Sequence, residues 1–244
     1  MQIYKKFCDG MPDYLVRYYW WAYLWRYGIW FFDHQVIINT ILFGQYEKLL
    51  NKTLIHLDDK PFARILQLTC VYGKLTHSLL INTKNEVHIC DVSISQLQLT
   101  RLKSAGAANR CHFSRMNAES LGYSTNSFDQ VLVFFLLHEM PADARQNTYS
   151  EIARVVKPGG SVLITEYAET PIRHWLYRFV PFRLLICRLE PFLSRFCEEN
   201  VEAKIRNALK LNGKSLNGDP KVEYCFEKYY RVMRIDVMAE NNLR

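Results

Sequence analysis

Short apolar runs alternate with helix-like segments from about residue 61 onwards, which predicts strand–helix–strand units around a parallel sheet. The run 128–137 is almost continuously apolar, so we place it in the middle of the sheet, covered on both faces. The predicted strands are 64–70, 86–91, 111–115, 128–137, 161–166, 222–225 and 229–238, and the predicted core helices are 74–82, 93–105 and 143–156. The last two strands are predicted to pair antiparallel at the sheet edge, which gives seven strands in all.

Local signals set the limits of two of these helices. Ser93 and Gln96 have the spacing of a capping box, and the apolar residues Ile94, Leu97, Leu102 and Ala105 share one face of the helix that follows. The helix 143–156 is expected to end at the sequence Pro-Gly-Gly of residues 158–160. Residues 212–220 are polar and predict a loop.

The N-terminal region is unusually aromatic. Eleven of the 34 aromatic residues fall within residues 14–32, including four of the five tryptophans. The longest uncharged run nearby, 34–46, is too short to span a bilayer, which takes ~20 apolar residues. Because tryptophan and tyrosine favour the boundary between lipid and water, we predict helices that face a membrane or an apolar ligand. Plain packing over the core as a helical cap is the alternative.

A second segment mixes cations with large apolar side chains. Between Pro171 and Cys197 there are five arginines and one acid, Glu190, so this segment carries +4 of the net charge of +7. Arginines set among aromatic and aliphatic residues are typical of a helix among anionic headgroups. A nucleic-acid face normally combines cations with small polar residues, so no nucleic-acid partner is expected. The arginines are Arg173, Arg178, Arg183, Arg188 and Arg195.

Composition narrows the class of protein. With 244 residues, 49% hydrophobic and 23% charged, the chain is expected to be globular, with one decorated α/β domain. Its seven cysteines never form a Cys-x-x-Cys pair, which argues against a disulfide framework or a zinc ribbon and predicts a reducing compartment. The first fifteen residues hold no apolar core of a signal peptide. We divide the chain into an aromatic N-terminal helical cap (1–58), a cofactor-binding core (59–170), a basic amphipathic helical insertion (171–218) and C-terminal strands that complete the sheet (219–244).

Ligands of open parallel sheets bind beyond the carboxyl ends of the strands, where this chain places several polar residues. Asp91 ends the second predicted strand, where its carboxylate can accept hydrogen bonds from both ribose hydroxyls of an adenosine ligand. The alternative is a charge that favours the start of the next helix. Asn117 and Ala118 follow the third strand, where an amide and a backbone N–H can bind adenine; the alternative is an ordinary turn.

Over about residues 61–166 the chain resembles the class I S-adenosylmethionine-dependent methyltransferases. The resemblance rests on residues 65–73 (Ile-Leu-Gln-Leu-Thr-Cys-Val-Tyr-Gly), 117–119, 127–129 and 154–160, together with Asp91. It implies a Rossmann-like α/β fold with a mostly parallel sheet, and S-adenosylmethionine as cofactor. The cofactor-binding positions it implies are Gln67, Val71, Gly73, Asp91, Asn117 and Ala118.

The first motif of that family, acid-x-Gly-x-Gly-x-Gly, is strongly altered here. Gln67 stands for the acid, Thr69 and Val71 stand for the first two glycines, and Gly73 remains. In the family the acid holds the amino group of the cofactor's methionine part, and the glycines let the backbone approach it. Glutamine has no negative charge, and Val71 adds a branched side chain. We therefore expect the amino group to be held differently.

From about residue 14 to residue 238 the chain resembles the rhodoquinone-biosynthesis family RquA, a divergent methyltransferase-like family. The resemblance is carried by residues 19–24 (Tyr-Trp-Trp-Ala-Tyr-Leu), 31–35, 39–44 and the altered loop 70–76. It implies an enzyme that converts ubiquinone into rhodoquinone by replacing a ring methoxy group with an amino group. The nitrogen then comes from S-adenosylmethionine, and a divalent manganese ion assists.

Three residues are candidates for this chemistry. Tyr72 can stack on a quinone ring or donate to its oxygen, and His138 can act as a general base towards the donor amine. His138 and Glu139 can also hold the metal, but the sequence does not fix the metal ligands. Each residue also has a purely structural alternative. Asp33 and His34 are weaker candidates for contact with the quinone head group.

Two other functions stay open at this point. One is a methyltransferase that acts on a polyprenyl quinone precursor, and the other is a non-catalytic, membrane-bound scaffold. The expected location is the periphery of the inner membrane on its cytoplasmic face, or the mitochondrion in a eukaryote, and the expected partners are ubiquinone and an anionic membrane surface.

Overall fold

One mixed sheet forms the centre of the molecule. A computed structural model describes residues 10–58, 60–107, 109–169 and 174–240. The strands are β1 (Arg64–Leu68), β2 (Glu86–Asp91), β3 (Cys111–Arg115), β4 (Phe128–Phe134), β5 (Val156–Tyr167), β6 (Lys214–Leu216), β7 (Lys221–Cys225) and β8 (Tyr230–Ala239). Their order is β3-β2-β1-β4-β5-β8-β6, with β7 also paired to β8. The first five strands are parallel, and β8 is antiparallel to β5.

Helices cover both the sheet and its ligand-binding end. The N-terminal helices are α1 (Asp13–Tyr18), α2 (Trp20–Tyr23), α3 (Arg26–Phe32), α4 (Gln35–Ile41) and α5 (Tyr46–Ile55). The core helices are α6 (Leu75–Asn82), α7 (Ile94–Lys103) and α8 (Ala142–Val155), with 3-10 turns at Ala105–Ala107 and Leu137–Glu139. The later helices are α9 (Trp175–Arg178), α10 (Val180–Leu189), α11 (Leu193–Cys197) and α12 (Val201–Leu211).

The predicted fold class is confirmed, and β4 lies in the interior of the sheet, as its apolar run predicted. Val131, Leu132 and Val133 are fully buried between β1 and β5. The predicted antiparallel hairpin is also present: residues 221–225 of β7 pair with residues 230–234 of β8. Ser93 caps α7 by accepting a hydrogen bond from the backbone N–H of Gln96.

The seven-strand prediction missed one strand. Lys214–Leu216, inside the predicted polar loop, pairs with the end of β8 and makes the sheet eight-stranded. Helix α8 ends at Val155, one residue before the predicted end. Residues 158–160 do not form a separate turn but lie inside β5, which begins at Val156. The backbone there runs close to β4, since a Cβ on Gly160 would lie 2.5 Å from the carbonyl oxygen of Asp129.

The apolar residues that share one face of the predicted helix do not all pack against the core. Ile94 and Leu102 are 52% and 77% exposed, whereas Gln96 and Thr100 are buried. These two polar side chains contact Tyr72 and Cys70 in the loop after β1. Gln96 and Thr100 are buried because this side of the helix packs on the loop after β1 and not on the apolar face of the sheet alone.

Lys214 explains why a short polar segment becomes a strand. Its ammonium group is buried and donates to the carbonyl oxygens of Ala153, Arg154 and Val156 at 2.7, 3.1 and 2.6 Å. These carbonyls belong to the end of α8, where backbone acceptors lack partners within the helix. Burial lowers the pKa of Lys214 to about 8.

Replacing Lys214 with methionine is therefore expected to destabilise the protein by about 3 kcal/mol, because three buried acceptors lose a charged donor. Urea unfolding monitored by circular dichroism measures the change. The matched control is Lys210→Met, which removes a lysine from the exposed side of α12. Equal stabilities of the two variants would show that Lys214 does not anchor β6.

The N-terminal helices are short and only partly buried. Tyr19, Ala22 and Ile29 are buried, whereas Trp20, Trp25, Tyr27 and Trp30 are at least half exposed. Packing thus accounts for the buried side chains, and contact with a membrane or an apolar ligand stays a prediction for the exposed ones. Within the described residues, none of the helices has the length and apolar content to cross a membrane.

Candidate functional site

A pocket lies at the carboxyl ends of β1 to β4, beneath the N-terminal helices. It sits at the point where strand order reverses between β1 and β4, which is where open α/β sheets bind ligands. Six predicted site residues line it: Val71, Tyr72, Asp91, Asn117, Ala118 and Glu139. The cap contributes Tyr14, Tyr23, Ile38, Leu42 and Tyr46 to the same wall. The other predicted residues, Gln67, Gly73 and His138, lie just behind this wall.

Gln67 is fully buried under the loop after β1 and supports it. Its amide nitrogen donates to the carbonyl oxygen of Thr69 at 3.0 Å, and its amide oxygen accepts from the hydroxyl of Thr76 at 3.0 Å. Both polar groups are thus occupied within the protein. In the structure Gln67 holds the loop in place. It is not one of the residues that line the pocket, so the geometry gives no support to the direct cofactor contact predicted for it.

The altered loop keeps the backbone shape that glycines usually allow. Thr69 has a φ of 74°, a left-handed conformation that costs a non-glycine residue about 1 kcal/mol or more. Val71 points its side chain into the pocket wall. Gly73 has a φ of +84°, and a Cβ there would lie 2.6 Å from the hydroxyl of Tyr46. The one retained glycine is therefore the position with the least room for a side chain.

Asp33 stabilises this loop from the N-terminal cap. Its carboxylate accepts from the backbone N–H of Gly73 at 3.3 Å and forms an ion pair with Lys103. This arrangement accounts for the carboxylate without a quinone contact. His34 contacts the carbonyl of Trp30, at 2.7 Å, on the exposed side of the cap.

Asp91 lies at the end of β2 as predicted. One carboxylate oxygen accepts from the backbone N–H of Cys70 and the other from that of Ser93, each at 2.7 Å. Burial raises the pKa of Asp91 to about 6, although these N–H groups oppose the shift. Each oxygen keeps a further lone pair, so the carboxylate can still accept two hydroxyls from the pocket side.

Asn117 and Ala118 form a tight turn beyond β3. The amide oxygen of Asn117 accepts from the backbone N–H of Glu119 at 3.0 Å, and Asn117 bridges Ser120. Ala118 is buried in the pocket wall. The turn thus presents backbone and a small side chain to the pocket, and both predicted readings, an ordinary turn and an adenine contact, fit this geometry.

Tyr72 is fixed by the aromatic cap. Its ring stacks on Tyr23 with centroids 5.8 Å apart and planes at 7°, and its hydroxyl donates to the carbonyl of Ala22. Burial raises the pKa of Tyr72 far above its usual range. Because the hydroxyl is already engaged, the predicted hydrogen bond to a quinone requires this bond to break.

His138 and Glu139 belong to a buried cluster with two acids that the sequence did not single out. The imidazole Nδ1 of His138 lies 3.0 Å from Glu166, and Nε2 lies 3.9 Å from Glu190. Burial lowers the pKa of His138, but the carboxylates of Glu166, Glu190 and Glu139 outweigh it and raise the pKa to about 9. A general base and a metal ligand both need a ring nitrogen without a proton, so either predicted role of His138 requires that the proton leave first.

Two tyrosines of the cap complete the cluster. Tyr23 donates to Glu139, and Tyr19 donates to Glu190 at 2.9 Å. Burial raises the pKa of Glu139 to about 8 and raises that of Glu190. Glu190 is the single acid of the arginine-rich segment, and this is the one feature of the sequence by which it could have been found.

Sequence comparisons find relatives of the central domain. Residues 65–160 match a family model described as a methyltransferase domain. The ubiquinone/menaquinone biosynthesis C-methyltransferase UbiE of Vibrio cholerae is 29% identical over 138 residues, which cover 54% of this chain and 52% of that protein. UbiE of a Shewanella species is 28% identical over 156 residues, 61% of each chain. The chain thus spans about half to three fifths of the length of the curated relatives it matches.

Solved structures share the fold at low sequence identity. The Haemonchus contortus phosphoethanolamine N-methyltransferase 2 has a TM-score of 0.63 and 17% identity over 93% of this chain and 59% of its own. An S-adenosylmethionine-dependent methyltransferase of Methanococcus maripaludis has a TM-score of 0.58 and 14% identity over 89% and 95%. The fold is the Rossmann-like α/β fold of class I methyltransferases, and its central part, residues 65–160, is similar to a methyltransferase domain. The fold leaves the reaction open, since the [4+2]-cyclase SpnF shares it with a TM-score of 0.57, at 16% identity over 78% of this chain and 80% of its own.

Proposed function

We propose that this protein is an S-adenosylmethionine-dependent enzyme that modifies a polyprenyl quinone, and that it replaces a ring methoxy group of ubiquinone with an amino group to give rhodoquinone. The resemblance of residues 14–238 to the RquA family supports the reaction, and the quinone-pathway relatives support the substrate class. The pocket at the strand ends is where the donor binds in this proposal, with Asp91 on its ribose and residues 117 and 118 beside its adenine.

The observation that carries amino transfer is the state of Gln67. A carboxylate at this position would neutralise the donor's ammonium group, whereas Gln67 is uncharged and its amide nitrogen and oxygen are each bonded to a partner inside the loop. An amino group without that partner loses its proton more readily. Only the neutral amine is nucleophilic, so the altered loop favours attack by nitrogen over presentation of the methyl group.

The exchange balances without an added oxidant or net base. A bond forms between the donor nitrogen and the ring carbon that bears methoxy, and the bond from that carbon to the methoxy oxygen breaks. The proton lost by the amine leaves with methoxide as methanol. The bond between the nitrogen and the α-carbon of the donor must then break: the hydrogens on these two atoms move to the ring oxygens, so that the quinone ring takes up two electrons and a C=N bond forms. One water hydrolyses this bond, which leaves the amino group on the ring of the reduced quinone and turns the donor into a 2-oxo acid. Glu139 lines the pocket and His138 lies directly behind it, and their oxygen and nitrogen donors suit manganese. Such an ion would supply a positive charge to polarise a quinone oxygen.

A second candidate function is methyl transfer to a polyprenyl quinone precursor, which the UbiE relatives favour. Incubation with ubiquinone and S-adenosylmethionine labelled with nitrogen-15 at its amino group separates the two. We expect an aminoquinone one mass unit heavier than the unlabelled product. A methylated quinone together with S-adenosylhomocysteine would instead establish methyl transfer, and an aminoquinone without label would exclude this donor.

A lipid-facing surface supports a substrate with a long apolar tail. Helix α10 has no buried residue, and Trp175, Phe179 and Leu184 are each more than 60% exposed. Arg178, Arg183 and Arg188 are exposed on the same segment; the predicted Pro171 and Arg173 lie outside the described residues. The segment contacts the aromatic cap through Phe182 and Phe43, whose ring centroids are 5.8 Å apart. Exposed apolar side chains and arginines thus alternate along this segment, which packs on the N-terminal cap.

This face is proposed to bind the anionic surface of the membrane from which the quinone enters, consistent with a peripheral location on the inner membrane. We expect the protein to float with vesicles that contain anionic lipid. Replacing Arg178, Arg183 and Arg188 together by glutamine should lower the bound fraction at least tenfold, since each cation near the surface contributes about 1 kcal/mol.

The charge-matched control replaces Lys84, Arg101 and Lys210, which are exposed elsewhere on the molecule. Equal loss of flotation in both triple variants would indicate attraction by net charge alone. Failure of the unmodified protein to float at low salt would remove the membrane from the proposal.

A further inference from the structure

The cluster behind the pocket has the composition of a cation site. His138, Glu139 and Glu190 each offer one ligand atom, and the three atoms lie within 4.8 Å of one another. Ligand bonds of about 2.0–2.6 Å, usual for divalent ions, are compatible with such spacing. One nitrogen and two carboxylates leave further coordination positions for water or for an oxygen of a bound molecule.

The nitrogen that faces the two acids is held ready for a ligand. His138 is 4% exposed, and its Nδ1 is occupied by Glu166 at 3.0 Å. Its Nε2 is 3.9 Å from Glu190, which is beyond hydrogen-bond distance. A carboxylate behind a histidine is the usual support of a metal-binding imidazole, because it fixes the ring and strengthens the other nitrogen as a donor.

Three acids and one imidazole make the cluster electrically neutral only while protons stay on the acids, and a bound cation can take the place of those protons. Three carboxylates, those of Glu139, Glu166 and Glu190, surround one imidazole in a buried place. Buried charges of one sign are costly unless an opposite charge compensates them. The two tyrosine hydroxyls supply hydrogen bonds to Glu139 and Glu190 but no charge.

We propose that His138, Glu139 and Glu190 bind one divalent cation, and that this ion fastens the arginine-rich segment to the aromatic cap over the pocket. Glu190 directly follows α10, and its partner Tyr19 belongs to the cap. Glu139 reaches the cap through Tyr23. The ion thus joins the end of β4 to the cap and to the arginine-rich segment. The inference deepens the proposed function, on which the choice of manganese as probe rests.

Cation binding is measured on the full chain without donor or quinone, by titrating Mn²⁺ and following the electron paramagnetic resonance signal of the free ion. We expect one bound ion per chain. Glu190→Gln keeps the size of the side chain and can still accept from Tyr19, but it removes a charged ligand. Its dissociation constant should rise at least roughly 100-fold, more than loss of an outer partner costs. The matched control, Glu198→Gln, alters an exposed acid and should bind as the original protein does.

Thermal unfolding separates this role from a structural one. Without metal, Glu190→Gln should melt at the same or a higher temperature than the original protein, because one of the crowded carboxylates is gone. With Mn²⁺, the original protein and Glu198→Gln should gain stability and Glu190→Gln should not. Absence of binding by the original protein, or unchanged binding by Glu190→Gln, would overturn the inference. If Mn²⁺ binds as expected but the enzyme forms no aminoquinone, the cation site is supported and only the proposed amino transfer is rejected.

Discussion

Replacing Asp91 with asparagine is expected to weaken the binding of S-adenosylmethionine by roughly 100-fold or more. The carboxylate is placed to accept both ribose hydroxyls, and each hydrogen bond to a charged acceptor contributes about 1.5–3 kcal/mol. Asparagine retains one acceptor for the backbone N–H of Cys70 or Ser93 but has no charge. Isothermal titration calorimetry measures the loss directly.

The control is Asp143→Asn, which changes an exposed aspartate at the start of α8 and should leave the affinity unchanged. Circular dichroism must show that Asp91→Asn is folded. If the variant binds as tightly as the original protein, the donor does not lie in this pocket. If the original protein itself binds no S-adenosylmethionine, the scaffold alternative gains support.

The same carboxyl sets a pH dependence. Burial raises the pKa of Asp91 to about 6, so the group is ionised above that pH and becomes protonated below it. Since only the carboxylate accepts two hydroxyls, affinity should fall about tenfold for each pH unit below 6 and stay constant from 7 to 8. Asp91→Asn should show no such slope. An identical slope in both proteins would assign the titration to another group.

Replacing Gly73 with alanine is expected to destabilise the protein by about 3 kcal/mol. The φ of +84° accounts for about 1 kcal/mol, and the remainder comes from the Cβ, which would lie 2.6 Å from the hydroxyl of Tyr46. Tyr46 cannot move freely, since it is fully buried and its hydroxyl accepts from the backbone N–H of Lys74 at 2.7 Å. Urea unfolding measures the effect.

Gly218 supplies a control with the same backbone angle. Its φ is also +84°, but a Cβ there would meet no atom within 4 Å. Gly218→Ala should therefore cost only the conformational part, about 1 kcal/mol. A difference between the two variants below about 1 kcal/mol would mean that the loop shifts to make room, so that Gly73 is retained for its backbone angle alone.

The parts of the site that follow from strand ends were accessible to sequence reasoning. Asp91, Asn117 and Ala118 each follow an apolar run, and the chain direction of a parallel sheet brings such positions to one edge. Gln67 has the same kind of position, yet its side chain turns under the loop. Its orientation depends on the hydroxyl of Thr76, a partner that a strand pattern does not reveal.

The acids that surround His138 could not be predicted from the sequence, for a different reason. Glu166 and Glu190 lie 28 and 52 residues beyond His138 in the chain, and no spacing rule connects them. Only the pairing of β4 with β5, and the contact of residue 190 with the cap, bring their carboxylates to the imidazole. Both predicted roles of His138, general base and metal ligand, stay predictions.

The sequence by itself determined the α/β class, the parallel direction of the core strands and the two segments rich in apolar and aromatic residues, because these features depend on patterns among neighbouring residues. The tertiary structure decided which polar side chains meet, which face of α7 turns inward and how Lys214 creates an eighth strand. Such outcomes depend on buried polar groups that must find partners, and those partners are distant in the chain.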